Sequence, residues 1–388
     1  MLIDIGLPLD AELPDTSLPP VLGLKEHDAS LLGIAISHPH LDHYGLATKI
    51  QENVPILIGK GALKVLEASG ILFSNPVQFS STIELRDRET LSLGPFTITP
   101  YLMDHSAYDA YAFLVEAAMK RLFYSGDFRG HGRKGKLLDR LIQKPPPNID
   151  VLLMEGSTLG RAREDSIFPS EIDLEEGFAE YFKKQKGLTL LWASPQNIDR
   201  LVTIFKACRQ AGKKFIVDFY SANILRSLGN PNIPQPGWRG FQVFVPQFQR
   251  IKIKEKHLFD LVNDFSFCRV FPENLKELAN DSIILFRPSM ARDITEANCL
   301  DNATLIYSLW SGYLMEERYQ WFRAWLDEHN IPVIHCHTSG HAPVVDLQRF
   351  ARALAPKVIV PIHSFEPDRY PELFDNVCIQ RDGDWWEV

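Results

Sequence analysis

Four side chains of the kind that bind metals fall within six residues of this chain. They are His38, His40, Asp42 and His43 in SHPHLDHYG, directly after the apolar run LLGIAI. A short apolar run bounded by polar residues reads as a buried strand. Imidazoles and carboxylates are costly at the end of such a strand unless they are hydrogen bonded, paired or bound to a cation. The fold must therefore deliver this cluster to a place where something compensates it. Alternate residues of an extended loop point to one side, so His38 and His40 can grip one ion. Asp42 and His43, a turn further on, can serve a second. Nitrogen and carboxylate donors suit zinc, with manganese as the substitute.

The pattern of a strand ending on a polar group recurs. FTITPYLM runs into Asp104 and His105, and IDVLLMEGST ends a strand at Glu155. YAFLVEA and RLFYSG read as a hairpin that delivers Asp127, and KVIVPIHS runs into His363. Between these lies a different texture. EEGFAEYFKKQKG predicts a helix stopped at Gly187, followed by the strand LTLLWAS. PQNIDRLVTIFKACRQAG then places Ile198, Leu201, Val202, Phe205 and Cys208 on one helical face, ahead of the strand KKFIVDF. That is a βαβ unit, hence a parallel sheet. The expected organisation is a first domain over 1–165, an inserted doubly wound α/β domain over 166–330, and a return to the first domain over 331–388. The last part contains IPVIHCHTSGHAP and a helix with a Leu347, Phe350, Ala351, Leu354 stripe.

Composition narrows the class. The 388 residues are 45% hydrophobic and 23% charged, with a formal net charge of −8 that counts against broad, non-specific affinity for nucleic acid. Five scattered cysteines without a C-x-x-C pair argue against a disulfide framework and for a reducing, cytoplasmic setting. MLIDIGLPLD has no basic leader, and no apolar run is long enough to predict a membrane span.

H-x-H-x-D-H followed in order by His105, Asp127 and His363 resembles the signature of the metallo-β-lactamase superfamily, whose fold is an αββα sandwich. The resemblance implies that His38, His40 and His105 hold one metal, that Asp42, His43 and His363 hold the other, and that Asp127 is shared. WASPQNIDRLVTIFKACRQAGKKFIVDF, HTSGHA and PIHS resemble the inserted β-CASP domain and downstream motifs of nucleases such as ribonuclease J, with Glu155 where that subfamily closes a strand on an acid. In that subfamily one or two strands normally precede the equivalent of LIDIGLP, and an assembly domain often follows. Met1 sits almost on that strand, which implies either a reduced front of the sandwich or a start inside a longer reading frame. At the other end the sequence runs 25 residues past His363, so the assembly domain, and with it processive, dimer-based action, is not expected.

HTSGHAP leads into a helix, whose free N–H groups attract phosphate. Ser339 and His337 are expected to hold a substrate phosphate. His341 is expected to protonate the leaving oxygen, with Glu155 orienting it and Asp42 completing the catalytic set. The leading functional expectation is a two-zinc phosphodiesterase that hydrolyses single-stranded RNA or DNA by metal-bound hydroxide. The alternative is a hydrolase of a small phosphodiester, lactone or thioester on the same site; a third is an inactive binding subunit. No oligomeric state follows from the sequence. GHGRKGKL matches G-x-x-x-x-G-K, but Leu137 stands where a P-loop needs Ser or Thr, so a nucleotide P-loop is not expected. Arg129, Arg133, Lys134 and Lys136 are read as a solvated basic loop, with contact to substrate phosphates as the alternative. GDWWEV is expected to form an apolar edge strand.

Overall fold

Side-chain alternation along short strands sorts the first part of the chain into layers. In the computed structural model, which describes residues 1–8, 16–72, 76–161 and 166–388, β1 (Leu2–Ile3), β2 (Ile34–Ala35), β3 (Ile56–Gly59) and β4 (Thr82–Leu85) form a parallel sheet in that order. Ile34, Ile56 and Ile58 pack with Ala62 and Leu66 of the helix Lys60–Gly70, whereas Ala35, Leu57 and Leu85 face the other way. That is the two-residue period of a pleated strand. The strand expected over LLGIAI is only two residues long. Its pairing nevertheless continues, because the Ile36 N–H donates to the Leu57 carbonyl at 2.8 Å.

A second sheet is built from β5 (Leu91–Leu93), β6 (Phe96–Met103), β7 (Ala110–Ala117), β8 (Lys120–Tyr124), β9 (Val151–Glu155) and, from the chain end, the strand Val358–Ile362. The order is Val358–Ile362, β9, β8, β7, β6, β5. Pairing is parallel among the first three and antiparallel from β8 to β5. Ile98, Tyr111, Phe113 and Tyr124 meet Ala35 and Leu57 between the two sheets. Leu114, Phe123, Leu152 and Met154 pack on Leu138, Leu141, Leu347 and Phe350 from two covering helices, Lys136–Gln143 and Val344–Leu354. The layers are therefore helix, sheet, sheet, helix: the αββα sandwich.

Met1–Leu66, Val77–Phe168 and Gly340–Val388 make up this first unit; Glu67–Pro76 and Pro169–Ser339 make up a second. The second holds β10 (Thr189–Trp192), β11 (Lys214–Asp218), β12 (Phe241–Phe244), β13 (Arg269–Val270), β14 (Ser282–Leu285), β15 (Thr304–Tyr307) and β16 (Val333–His335). They form one parallel sheet in the order β13, β12, β11, β14, β10, β15, β16. The chain runs to one edge, returns to the centre at β14 and leaves by the other edge, as in doubly wound sheets. The return to the first unit comes at 340 rather than 331, because β16 pairs with β15 and keeps His335 and His337 in the second unit.

Two other expectations change. No strand forms over GDWWEV: Gly383 turns at φ +86°, Trp385 is 98% exposed, and pairing nearby is limited to an Ile359–Val377 bridge. Arg129 is not part of a solvated loop. It is fully buried, with Nε 3.6 Å from Asp104 Oδ1. Among the described residues no helix is long and apolar enough to cross a membrane.

The second unit is tied together by a buried ion pair. Arg200 Nη2 lies 3.0 Å from Glu171 Oε1, both side chains fully buried, and Thr203 Oγ1 donates to Glu171 Oε2 at 2.7 Å. Removing one charge strands the other in a low-dielectric core. Arg200→Ala is expected to cost roughly 3–5 kcal/mol in urea unfolding of the full chain. A loss below about 1 kcal/mol would contradict the pairing.

Candidate metal centre

Strand direction decides which groups meet. β6, β8, β9 and the strand Val358–Ile362 all run the same way, because β7 lies antiparallel between β6 and β8 and the rest pair in parallel. Their C-terminal ends share one edge of the sheet, and there the chain carries His105, Asp127, Glu155 and His363. Asp127 reaches its place through a turn that only glycine tolerates. Gly126 has φ +53°, and a Cβ on it would stand 2.7 Å from the Tyr111 carbonyl oxygen.

The other sheet supplies the opening motif. His38 and His40 lie in the loop after β2, and His40 sits at the N-cap position of a one-turn helix, Leu41–Tyr44, that holds Asp42 and His43. Gly6 allows the chain start to lie directly on this turn: a Cβ there would be 1.7 Å from the Asp42 carbonyl oxygen.

All seven residues that the resemblance names as ligands converge. One group is His38, His40 and His105, and another is Asp42, His43 and His363; within each, the offered atoms lie within 4.8 Å of one another. Asp127 stands beside both, with Oδ2 3.7 Å from His38 Nε2, 3.9 Å from His105 Nε2 and 3.3 Å from His43 Nε2, and Oδ1 3.4 Å from His363 Nδ1. Neither Asp127 oxygen has a hydrogen-bond partner although the side chain is 1% exposed.

The donor set fits divalent cations. Ligand atoms about 2.1 Å from a tetrahedral zinc stand roughly 3.4 Å apart. His38 Nε2 and His40 Nδ1 are 3.1 Å apart, His40 Nδ1 and His105 Nε2 3.3 Å, and His363 Nε2 and Asp42 Oδ2 3.2 Å. Burial drives the His38 and His105 imidazoles well below their usual pKa and His40 down to about 4, which keeps their lone pairs available. Burial also opposes charge on Asp127, but the imidazoles of His43, His363 and His341 outweigh it and hold the carboxyl well below the usual range. His43 moves up despite its burial because Asp127 and Asp4 face it. Asp42 is held at about 2, its burial outweighed by the hydrogen bond from His363 and the charge of His43.

Glu155 and His341 meet as well. His341 Nδ1 lies 3.0 Å from Glu155 Oε2, and Glu155 also accepts from the Phe128 N–H at 2.9 Å and from Ser157 Oγ at 2.9 Å. Both also fall in a ligand-type group with Asp127 and His363. His337 and Ser339 belong to the second unit, apart from His341 by unit assignment. His337 Nδ1 donates to the Ser308 carbonyl at 3.2 Å, and burial, then Arg200, pushes its pKa down to about 3.

One important residue escapes the sequence reading. Asp4 accepts from His43 Nδ1 at 2.7 Å, from Tyr124 Oη at 2.5 Å, and from the Ser37 N–H and Oγ at 2.7 Å each. It therefore fixes the His43 ring so that Nε2 faces Asp127. The available signal was an acid following the apolar pair Leu2–Ile3, in a left-handed conformation (φ +56°). Ser37 Oγ likewise sits 3.0 Å from His38 Nδ1, and Ser157 Oγ 2.7 Å from His363 Nδ1.

Known proteins resemble this chain in sequence and fold. Residues 2–184 match the beta-lactamase superfamily domain. A ribonuclease J of Sinorhizobium meliloti is 24% identical over 224 residues, 56% of this chain and 39% of that protein. A ribonuclease J of Helicobacter pylori is 22% identical over 367 residues, 92% of this chain and 50% of that protein. The chain thus spans half or less of these relatives' length. A solved structure of a protein of unknown function from Enterococcus faecalis V583 superposes with a TM-score of 0.79 at 18% identity, covering 98% of this chain and 93% of that one. At that identity the likeness concerns the fold.

Two outcomes are expected. Zinc or manganese added to chelator-stripped protein raises the thermal midpoint, and Asp127→Ala removes most of that increment; an unchanged increment would speak against Asp127 as a ligand. For His337 the pKa falls from 6.5 to about 3 on folding. The unfolded chain then binds a proton that the folded site refuses, so stability declines as pH drops from 6.5 towards 3. Urea titrations of His337→Asn should show a shallower decline across that window; an identical slope would refute the assignment.

Proposed function

We propose that this chain, which carries a beta-lactamase superfamily domain over residues 2–184 and resembles ribonuclease J, is a two-metal phosphodiesterase that hydrolyses single-stranded nucleic acid. The observation that carries the reading is the carboxylate of Asp127, buried without a hydrogen bond between two histidine-rich groups. Two divalent cations held there, zinc by the preponderance of nitrogen donors, would supply a water of lowered pKa and neutralise charge on a phosphoryl oxygen. His38, His40 and His105 would hold one, Asp42, His43 and His363 the other, with Asp127 shared.

The chain's own residues handle positioning and proton transfer. Glu155 accepts the Nδ1–H of His341, which leaves His341 Nε2 to carry the proton for the leaving oxygen. Asp4 and Ser37 fix the rings of His43 and His38, so the ligand nitrogens point inward without reorganisation. Ser339 is assigned to a substrate phosphate; His337, also expected there from the sequence, is neutral and donates its one ring proton to the Ser308 carbonyl, so it presents no donor to a phosphate. Five cysteines, none in a disulfide, favour a reducing cytoplasmic setting. The net charge of −8 favours a second reading, a small diester as substrate on the same site.

Incubation of the zinc- or manganese-loaded protein with 5′-phosphorylated oligonucleotides is expected to give cleavage that chelator abolishes. His341→Ala should retain the metal and lose about 10²–10⁴-fold in rate. Intact oligonucleotides alongside hydrolysis of a small chromogenic diester would replace this reading by the second.

A further inference from the structure

One aromatic ring in the loop that follows a member of the histidine cluster has no place in the core. Phe365 lies two residues beyond His363 and is 57% exposed. The Arg161 guanidinium sits over its ring, 3.4 Å from the centroid. The loop that presents it is firmly seated. Ser364 Oγ donates to the Gly156 carbonyl at 3.3 Å, and the Gly156 N–H donates to the His363 carbonyl at 3.4 Å. Gly160 lies so close beneath that a Cβ on it would stand 2.2 Å from the Glu366 carboxylate. A second apolar side chain, Leu41, is 53% exposed between His40 and Asp42. Since Asp42 Oδ2 and His363 Nε2 are 3.2 Å apart, the loops bearing Leu41 and Phe365 converge at the cluster.

We propose that Phe365, backed by Arg161, is a stacking shelf for a nucleobase next to the phosphodiester being cleaved, a role that rests on the nuclease reading above. The chemistry matches that ligand class. Every base offers a π-face, and proteins that hold single strands stack successive bases on aromatic rings and arginine planes. A guanidinium on the ring adds a positive charge where a polyanion must approach, in a chain whose net charge repels it. The seating matters because a base held on the shelf would place the adjoining phosphate beside Asp42 and His363, without either Phe365 or Arg161 touching the reacting bond.

The test uses the full chain loaded with zinc or manganese, and 5′-phosphorylated single-stranded oligonucleotides with or without abasic residues across the cleaved region. Wild type, Phe365→Leu and Phe365→Trp are compared for binding, KM and kcat. Phe365→Leu is expected to raise KM about tenfold while kcat stays within about twofold, and Phe365→Trp to keep the wild-type KM. The abasic substrate should impose the same loss on wild type and none further on Phe365→Leu. Equal losses on base-bearing and abasic substrates, or an unchanged KM, overturn the shelf and leave the nuclease reading standing. If wild type neither binds nor cleaves any oligonucleotide, both fall together.

Discussion

A buried carboxylate without a hydrogen bond is the constraint around which the first unit is arranged. Asp127 lies in a region of low dielectric, where an isolated anion costs several kcal/mol, and its oxygens face the imidazole nitrogens of His38, His43, His105, His341 and His363, with the Glu155 carboxylate close by. Imidazoles that share a proton can balance that charge in part. Divalent cations balance it fully and simultaneously satisfy the neutral His38, His40 and His105. Everything local serves this arrangement: the left-handed Gly126 turn, the parallel run of β6, β8, β9 and the strand Val358–Ile362, and the seating of the SHPHLDHYG turn against Gly6.

A second ring of polar residues decides how the histidines point. Asp4 gathers His43, Ser37 and Tyr124 on one carboxylate, and Ser157 touches both His363 and Glu155. These contacts choose which ring nitrogen stays available, the orienting role that outer residues play around metals. They also join the histidine cluster to the Glu155–His341 pair, since Glu155 holds both Ser157 and His341.

How much of this could be read from the residues varies by element. The long strands of the second sheet were legible, FTITPYLM and YAFLVEA especially, because eight consecutive residues suffice to display a pattern. The βαβ unit was equally plain in the face of Ile198–Ala211. The first sheet was harder, since β1 and β2 have two residues each and draw their order from pairing with β3, which no local pattern records. The boundary at 339 moved for the same reason: Val333–His335 is exposed and joins the second unit through its pairing with β15 and the His335 contact to the Leu309 carbonyl, neither of which a local pattern records. Arg129 was misread because its partner Asp104 lies on another strand end. Asp4 was missed because a lone acid beside two apolar residues resembles a strand end until His43 is seen to touch it. The crowding of His38, His40, Asp42 and His43 was legible, because four such side chains within six residues cannot all be satisfied locally; His105, Asp127 and His363 joined them only through the family resemblance.

The most direct test of the account is anomalous diffraction at the zinc edge from crystals of the zinc-loaded protein. The account predicts two peaks, one among His38, His40 and His105 and one among Asp42, His43 and His363, both against the Asp127 carboxylate. A single peak, or zinc bound without contact to Asp127, would contradict it.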